Sequence, residues 1–168
     1  MTDFRSLRIR DATAADWPAV WPIVQEVVRA ADTFPYDPAM DEGTARAMWM
    51  LAAPARTTVA TGDDGAVLGT AKMHANQAGP GAHVASASFM VGSSARGRGV
   101  GRALVEDALA WARAAGFRAM QFNAVAASNP AAVALYESLG FAVMATIPEA
   151  FRHPDQGYVA LLVMHRAL

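Results

Sequence analysis

The sequence predicts an α/β (α+β) fold, with a mixed, mostly antiparallel central sheet of six to seven strands and about four helices. Three observations predict it. The hydrophobic patterns follow one another as strand, two helices, three strands, helix, strand, helix and two strands. Gly62-Asp-Asp-Gly65, between two strand patterns, is a hairpin signal, so the sheet is antiparallel there. In the middle of the chain a strand, an amphipathic helix and a second strand follow in order, which requires parallel neighbours joined by a right-handed crossover.

Composition sets the bounds. A chain of 168 residues, 54% hydrophobic and 17% charged, makes one domain with a real core. A net charge of −1 provides no global field toward nucleic acid or an anionic membrane. The absence of cysteine excludes disulfides, thiol nucleophiles and cysteine-zinc sites. The four histidines have no ligand spacing, so no metal is expected. The N-terminal Met-Thr-Asp-Phe-Arg-Ser has no apolar signal core, and no run approaches the roughly 20 apolar residues of a membrane span. A cytoplasmic protein is therefore expected.

Leu7 to Arg10 alternates as a strand, and Asp11 or Thr13 can begin the helix that follows. From Ala14 to Ala30, Trp17, Val20, Trp21, Val24 and Val27/Val28 share one helical face, with Pro22 marking either a kink or a late start. Pro35 and Pro38 make residues 31–38 a stiff aromatic loop. Phe34 and Tyr36 there either line a small-molecule pocket or cap the core edge. Asp41 or Thr44 starts a second helix through Leu51, ended by Pro54. Arg56 to Thr61, Ala66 to Asn76 and Val84 to Val91 are the three strands of a meander, with a turn over residues 76–82. Val100, Leu104, Ala108 and Trp111 mark the next helix and Gly116 its C-terminal cap. Phe117 to Val125 is a strand. Asn129 as N-cap, Pro130 at the first position and Gly140 after the last turn bound the final helix. Phe141 to Ile147 and Tyr158 to His165 close the chain as strands, with Pro148 to Gly157 as the loop between them.

The stretch Val91-Gly-Ser-Ser-Ala-Arg-Gly-Arg-Gly-Val-Gly-Arg102 carries the clearest chemistry. A strand entering a glycine turn and then a helix leaves backbone N–H groups unpaired at the positive end of the helix dipole, a ready anion site. Glycine at 97, 99 and 101 lets an anion approach the backbone, and Arg96, Arg98 and Arg102 add forked donors. Taken alone, the loop is equally a solvated surface turn. It is not a P-loop, because the only lysine is Lys72, and not a dinucleotide fingerprint, because Arg102 stands where glycine is needed.

With Arg96-x-x-Gly99-x-Gly101 in place, the second motif is Asn129-Pro-x(5)-Tyr136-Glu137-x-x-Gly140-Phe141, which also contains Ala132 and Leu135. The two, with a helix and a strand between them, resemble the GNAT superfamily of acetyl-CoA-dependent N-acetyltransferases over nearly the whole chain. The resemblance implies a GNAT fold whose parallel strands, Val84 to Val91 and Phe117 to Ala124, splay at the cofactor cleft. It implies acetyl-CoA as cofactor, with its pyrophosphate on Arg96, Gly97, Arg98, Gly99, Val100, Gly101 and Arg102. Phe89, Met90 and Val91 would pair with the pantetheine arm, an N–H of Met90 or Val91 polarising the thioester carbonyl. Ala132 and Tyr136 belong to the cofactor-binding set. Asn129 by analogy binds the CoA arm, against its plain reading as an N-cap.

Tyr136 stands where the superfamily places the group that protonates the departing thiolate. The other reading, an aromatic on an apolar helix face, makes it core. The reaction implied is direct attack of a neutral amine on the thioester. Candidates for the base are Asp37, Glu42, His74, His83 and Glu149. Asn123, mid-strand and in need of partners if buried, and Ser86 on the neighbouring strand join Phe34 and Tyr36 as substrate-binding candidates. The acceptor expected is the amine of a small polar or amino-acid-like molecule. A protein N-terminus or lysine, or a binding module without catalysis, are the alternatives. A homodimer is a frequent state in the superfamily.

Overall fold

In the computed structural model, which describes residues 7–168, seven strands form one sheet in the order β1-β2-β3-β4-β5-β7-β6. β1 (Arg8–Asp11) leads into a single 3-10 turn at Ala14–Asp16 and then α1 (Trp17–Ala30). The expected single helix from Ala14 is thus split. Asp16 causes the break: its carboxylate accepts from the Thr13 N–H at 2.7 Å and takes both guanidinium nitrogens of Arg10 at 2.8 and 2.7 Å. Pro22 sits inside α1, in its second turn, so it is not a late start.

Asp41 caps α2 (Glu42–Trp49) by accepting from the Thr44 N–H at 2.8 Å. β2 (Arg56–Thr61), β3 (Val67–Ala75) and β4 (Val84–Val91) pair antiparallel in the expected meander. α3 (Val100–Ala114) crosses to β5 (Ala119–Ala126), and Asn129 caps α4 (Pro130–Ser138). β6 (Ala142–His153) and β7 (Gly157–Ala167) form the far edge.

The expected loop from Pro148 to Gly157 is corrected here. β6 continues to His153, and its register with β7 shifts between Val143 and Ala145 and again between Ile147 and Phe151. Pro148 has no N–H to give and Glu149 has φ of 53°, but both fall at that irregularity on an edge strand, where a proline removes no needed ladder bond.

Two cores cover the two faces of the sheet. α3, with Leu104, Val105 and Leu109, packs on Ala71, Met73, Ala87 and Phe122. On the other face α1 and α2, with Val20, Val24 and Trp49, pack on Val59 and Met90. No helix among the described residues is long and apolar enough to cross a membrane.

Candidate active site

Among the described residues β4 and β5 are the only parallel neighbours, and they pair only at Val84 with Ala119 and Ala85 with Met120. Beyond Ala85 the strands part, which is the expected splay. Strand parity says what the gap exposes. The Val84 carbonyl accepts from the Asn76 N–H and the Gly92 N–H donates to the Leu68 carbonyl, with unbroken register between. Even-numbered residues of β4 therefore turn their backbone groups toward β3, and Phe89 and Val91 turn theirs into the gap. The Met90 amide belongs to β3, and its side chain is buried under α1.

The gap opens into a cleft of about 940 Å³ that runs through the sheet. One end is the glycine loop. Gly97 and Gly99 have φ of 71° and 81°, and a Cβ on either would meet no protein atom within 4 Å. The cradle is open on the side where a ligand would lie. Gly99 caps α3, and the first helical bond runs from the Ala103 N–H to the Gly99 carbonyl at 3.0 Å. The amides of Val100, Gly101 and Arg102 thus have no helical partner. Gly101 differs from the other two: it is helical, and a Cβ there would make ordinary contact with Leu135 at 3.6 Å. Arg96 and Arg102 line the cleft and Arg98 does not. Arg102 donates to the Ser138 hydroxyl at 2.8 Å, tying α3 to α4.

At the start of α4 the Asn129 Oδ1 accepts from the Ala132 N–H at 3.2 Å, so the capping role is real. Its Nδ2 has no partner among the described residues and lies on the cleft wall, which lets the two roles coexist. Beside it the Ser128 hydroxyl, also on the wall, is buried with no hydrogen-bond partner among the described residues. An orphaned buried hydroxyl and a cradle that a Cβ would fill both suit a pyrophosphate joined to a polar, amide-bearing arm.

Tyr136 is half-buried in an aromatic cluster, 4.6 Å from the Phe122 ring, 6.3 Å from Phe89 and 6.0 Å from Phe141 between centroids. Burial pushes its hydroxyl up to about 12. Core packing and a position on the cleft wall are both true of it.

On the opposite face, residues paired across strands share a side of the sheet. Lys72 pairs with Ser88 and His74 with Ser86, so these four face α1 and α2 with Phe34 and Tyr36. The two rings stack at 5.3 Å, and they both line the cleft and pack against the α1–α2 core. Burial raises Tyr36, and a hydrogen bond from Ser88 pulls it partly back. Asn123 reaches the same wall but is exposed, not buried. Its Nδ2 donates to Asn76 at 2.6 Å and its Oδ1 accepts from Gln121 at 2.9 Å.

Of the five base candidates only His74 lines the cleft. Its Nδ1 lies 2.7 Å from the Ala75 carbonyl, so Nδ1 donates there and Nε2 is the ring nitrogen left to exchange a proton. Glu42 is engaged by the Trp17 indole at 2.9 Å and His83 by the Pro80 carbonyl at 3.1 Å, while Asp37 accepts from the Ala39 N–H at 2.9 Å. Glu149 sits at the β6 irregularity.

Asp32, Lys72, Ser128 and His153 are among the wall residues that escape the sequence reading. Asp32 and Lys72 have no signal in pattern or spacing, and Ser128 has only its place before Asn129. His153 is hidden because β6 runs past its expected end, and its Nδ1 accepts from the Asp155 and Gln156 N–H groups at 3.1 and 3.3 Å.

Comparison with known proteins agrees with this geometry. The model of the acetyltransferase (GNAT) family matches residues 12–141. A GCN5-related N-acetyltransferase from Kribbella flavida is 57% identical over 96% of this chain and 98% of its own, with a TM-score of 0.94. A GNAT superfamily phosphinothricin acetyltransferase from Sinorhizobium meliloti, solved with acetyl-CoA, is 25% identical over 96% of this chain and 88% of its own, with a TM-score of 0.85. The N-acetyltransferase aca1 of Schizosaccharomyces pombe is 34% identical over 94 residues, 55% of this chain. The chain spans 45% of that relative's length and 11% of the length of protein SPT10 of Saccharomyces cerevisiae.

Proposed function

The chain belongs to the acetyltransferase (GNAT) family, whose cofactor is acetyl-CoA, and on that premise we propose that it acetylates the amine of a small polar, amino-acid-like acceptor by direct attack. The observation that carries the proposal is the cleft through the sheet, with Tyr136 on one face and His74 on the other. Acetyl-CoA supplies the acyl thioester.

The chain's own groups divide the remaining work. The amides of Val100, Gly101 and Arg102, with Arg96, hold the pyrophosphate. The Ser128 hydroxyl and Asn129 Nδ2 donate to the arm, and Val91 donates its N–H to an oxygen that gains negative charge. An alkylamine is mostly protonated at neutral pH, with a pKa near 10. His74 Nε2 takes the proton that must leave it. Tyr136, pushed up to about 12, stays protonated through the neutral range, as a donor must.

Phe34 and Tyr36 close the acceptor side, and Ser86 and Asn123 present polar groups to it. A half-enclosed aromatic wall favours a small acceptor over a peptide. Thiol release from acetyl-CoA, measured against amino acids, polyamines and short peptides, tests the reading. Turnover of a small amine with none of peptides is expected; turnover confined to peptide N-termini would overturn the acceptor class.

A further inference from the structure

Lys72 is the only lysine in the chain, and it lies in the middle of β3 with 8% of its surface exposed. A buried ammonium is costly unless it is paired and hydrogen-bonded. Its Nζ donates to the Met48 carbonyl at 3.1 Å and sits 5.7 Å from the Tyr36 ring and 5.3 Å from the Trp49 ring. Those contacts use one of its three donors and two ring faces. No carboxylate pairs with it among the described residues. Burial accordingly pulls its pKa below the ordinary lysine value.

The position is specific. Lys72 lies on the acceptor side of the cleft, directly across from Ser88, one strand from the backbone of Phe89 and Val91. Asp32 is the one carboxylate among the described lining residues, and it does not pair with Lys72. The acceptor wall therefore offers a desolvated cation with a hydroxyl beside it and no carboxylate in contact with that cation. A fold that keeps that charge there without a carboxylate has left the anion to the ligand.

We propose that Lys72 is the counter-ion for a carboxylate on the acceptor, so that the physiological acceptor is an amino acid or close analogue rather than a simple amine or a peptide N-terminus. Tyr36, hydrogen-bonded to Ser88, walls the same carboxylate from water. The acceptor's amine is then directed toward the β4–β5 gap and His74. This inference rests on the small-acceptor reading above and sharpens it.

Two measurements test it separately. On the wild-type protein, amino acids are compared with their own α-amides and decarboxylated amines by thiol release. The carboxylates are expected to show kcat/KM roughly tenfold or more above their neutral partners, the difference lying in KM. Thermal shift in saturating CoA then compares the same ligands on wild type and Lys72→Met, an apolar replacement of similar length. The carboxylates should stabilise wild type only, and the amides neither protein. Equal use of acid and amide, or equal stabilisation of both proteins by the acid, would overturn the role of Lys72. Absence of turnover on every small amine, with carboxylate stabilisation intact, would overturn the catalytic reading and leave Lys72 as an anion site. The matched pairs on wild type decide the matter even if Lys72→Met does not fold.

Discussion

Replacing Gly99 by alanine separates the backbone's needs from the ligand's. At φ of 81° an alanine incurs the left-handed penalty, about 1–2 kcal/mol, offset by about 0.4–1 kcal/mol from the stiffer unfolded chain. The net loss is ~1 kcal/mol, a Tm decrease of about 2–4 °C for a domain of this size. Gly65, in the β2–β3 hairpin, has φ of 79°, and a Cβ there would likewise meet nothing within 4 Å. Gly65→Ala should therefore lower Tm by the same amount. Only at position 99 does the new methyl enter the space beside the unpaired amides of α3. If it displaces one or two charge-assisted bonds to phosphate, worth about 1.5–3 kcal/mol each, CoA affinity falls by roughly tenfold to several hundredfold or more. Differential scanning calorimetry and titration calorimetry with CoA read the two quantities. Wild-type affinity in Gly99→Ala, or an equal loss in Gly65→Ala, would refute the assignment of the loop.

Tyr136→Phe should reduce kcat by about a hundredfold while leaving CoA affinity within about twofold, read by steady-state kinetics and titration; unchanged kcat would return Tyr136 to the core alone. The Arg10 guanidinium and the Thr13 N–H hold the Asp16 carboxyl well below the usual carboxylate range. Its contribution is then complete above about pH 5 and is lost as the pH falls through about 4 toward the folded-state value, so the fall in Tm over that window should be shallower in Asp16→Asn. Gly69→Ala places a methyl 2.9 Å from Val100 and 3.0 Å from the Met90 carbonyl. Because the second contact is backbone, unfolding should show a loss of about 1–3 kcal/mol.

The helices and the meander are legible in the sequence because each rests on local chemistry. Asn129, Pro130 and Gly140 mark α4 at both ends, and the Gly62–Gly65 turn fixes one hairpin within a few residues. β6 is legible only to Ile147, since proline reads as a strand breaker unless one knows that the strand is an edge. The break before α1 depends on Arg10 reaching Asp16, six residues away on another element. The glycine loop proposed to hold the cofactor is readable as local structure because unpaired amides at a helix start are specified by sequence. The acceptor end is not. Lys72, Asp32 and Ser128 come to line one cleft only when β3, the loop after α1 and the start of α4 converge, and no periodicity announces that.

The splay also decides how the molecule bears load. With only two register pairs joining β4 to β5, the sheet is two wings, β1 to β4 and β5 to β7, and α3 is the splint laid across both. The two wings are joined by that short parallel pairing and by the core that α3 shares with Phe122 and Val125 of β5. The first turn of α3 carries the unpaired amides of the proposed anion cradle, so a pyrophosphate held there would sit at the end of that helix. On the proposed reading, filling the cradle would add contacts at a helix whose side chains pack on both wings.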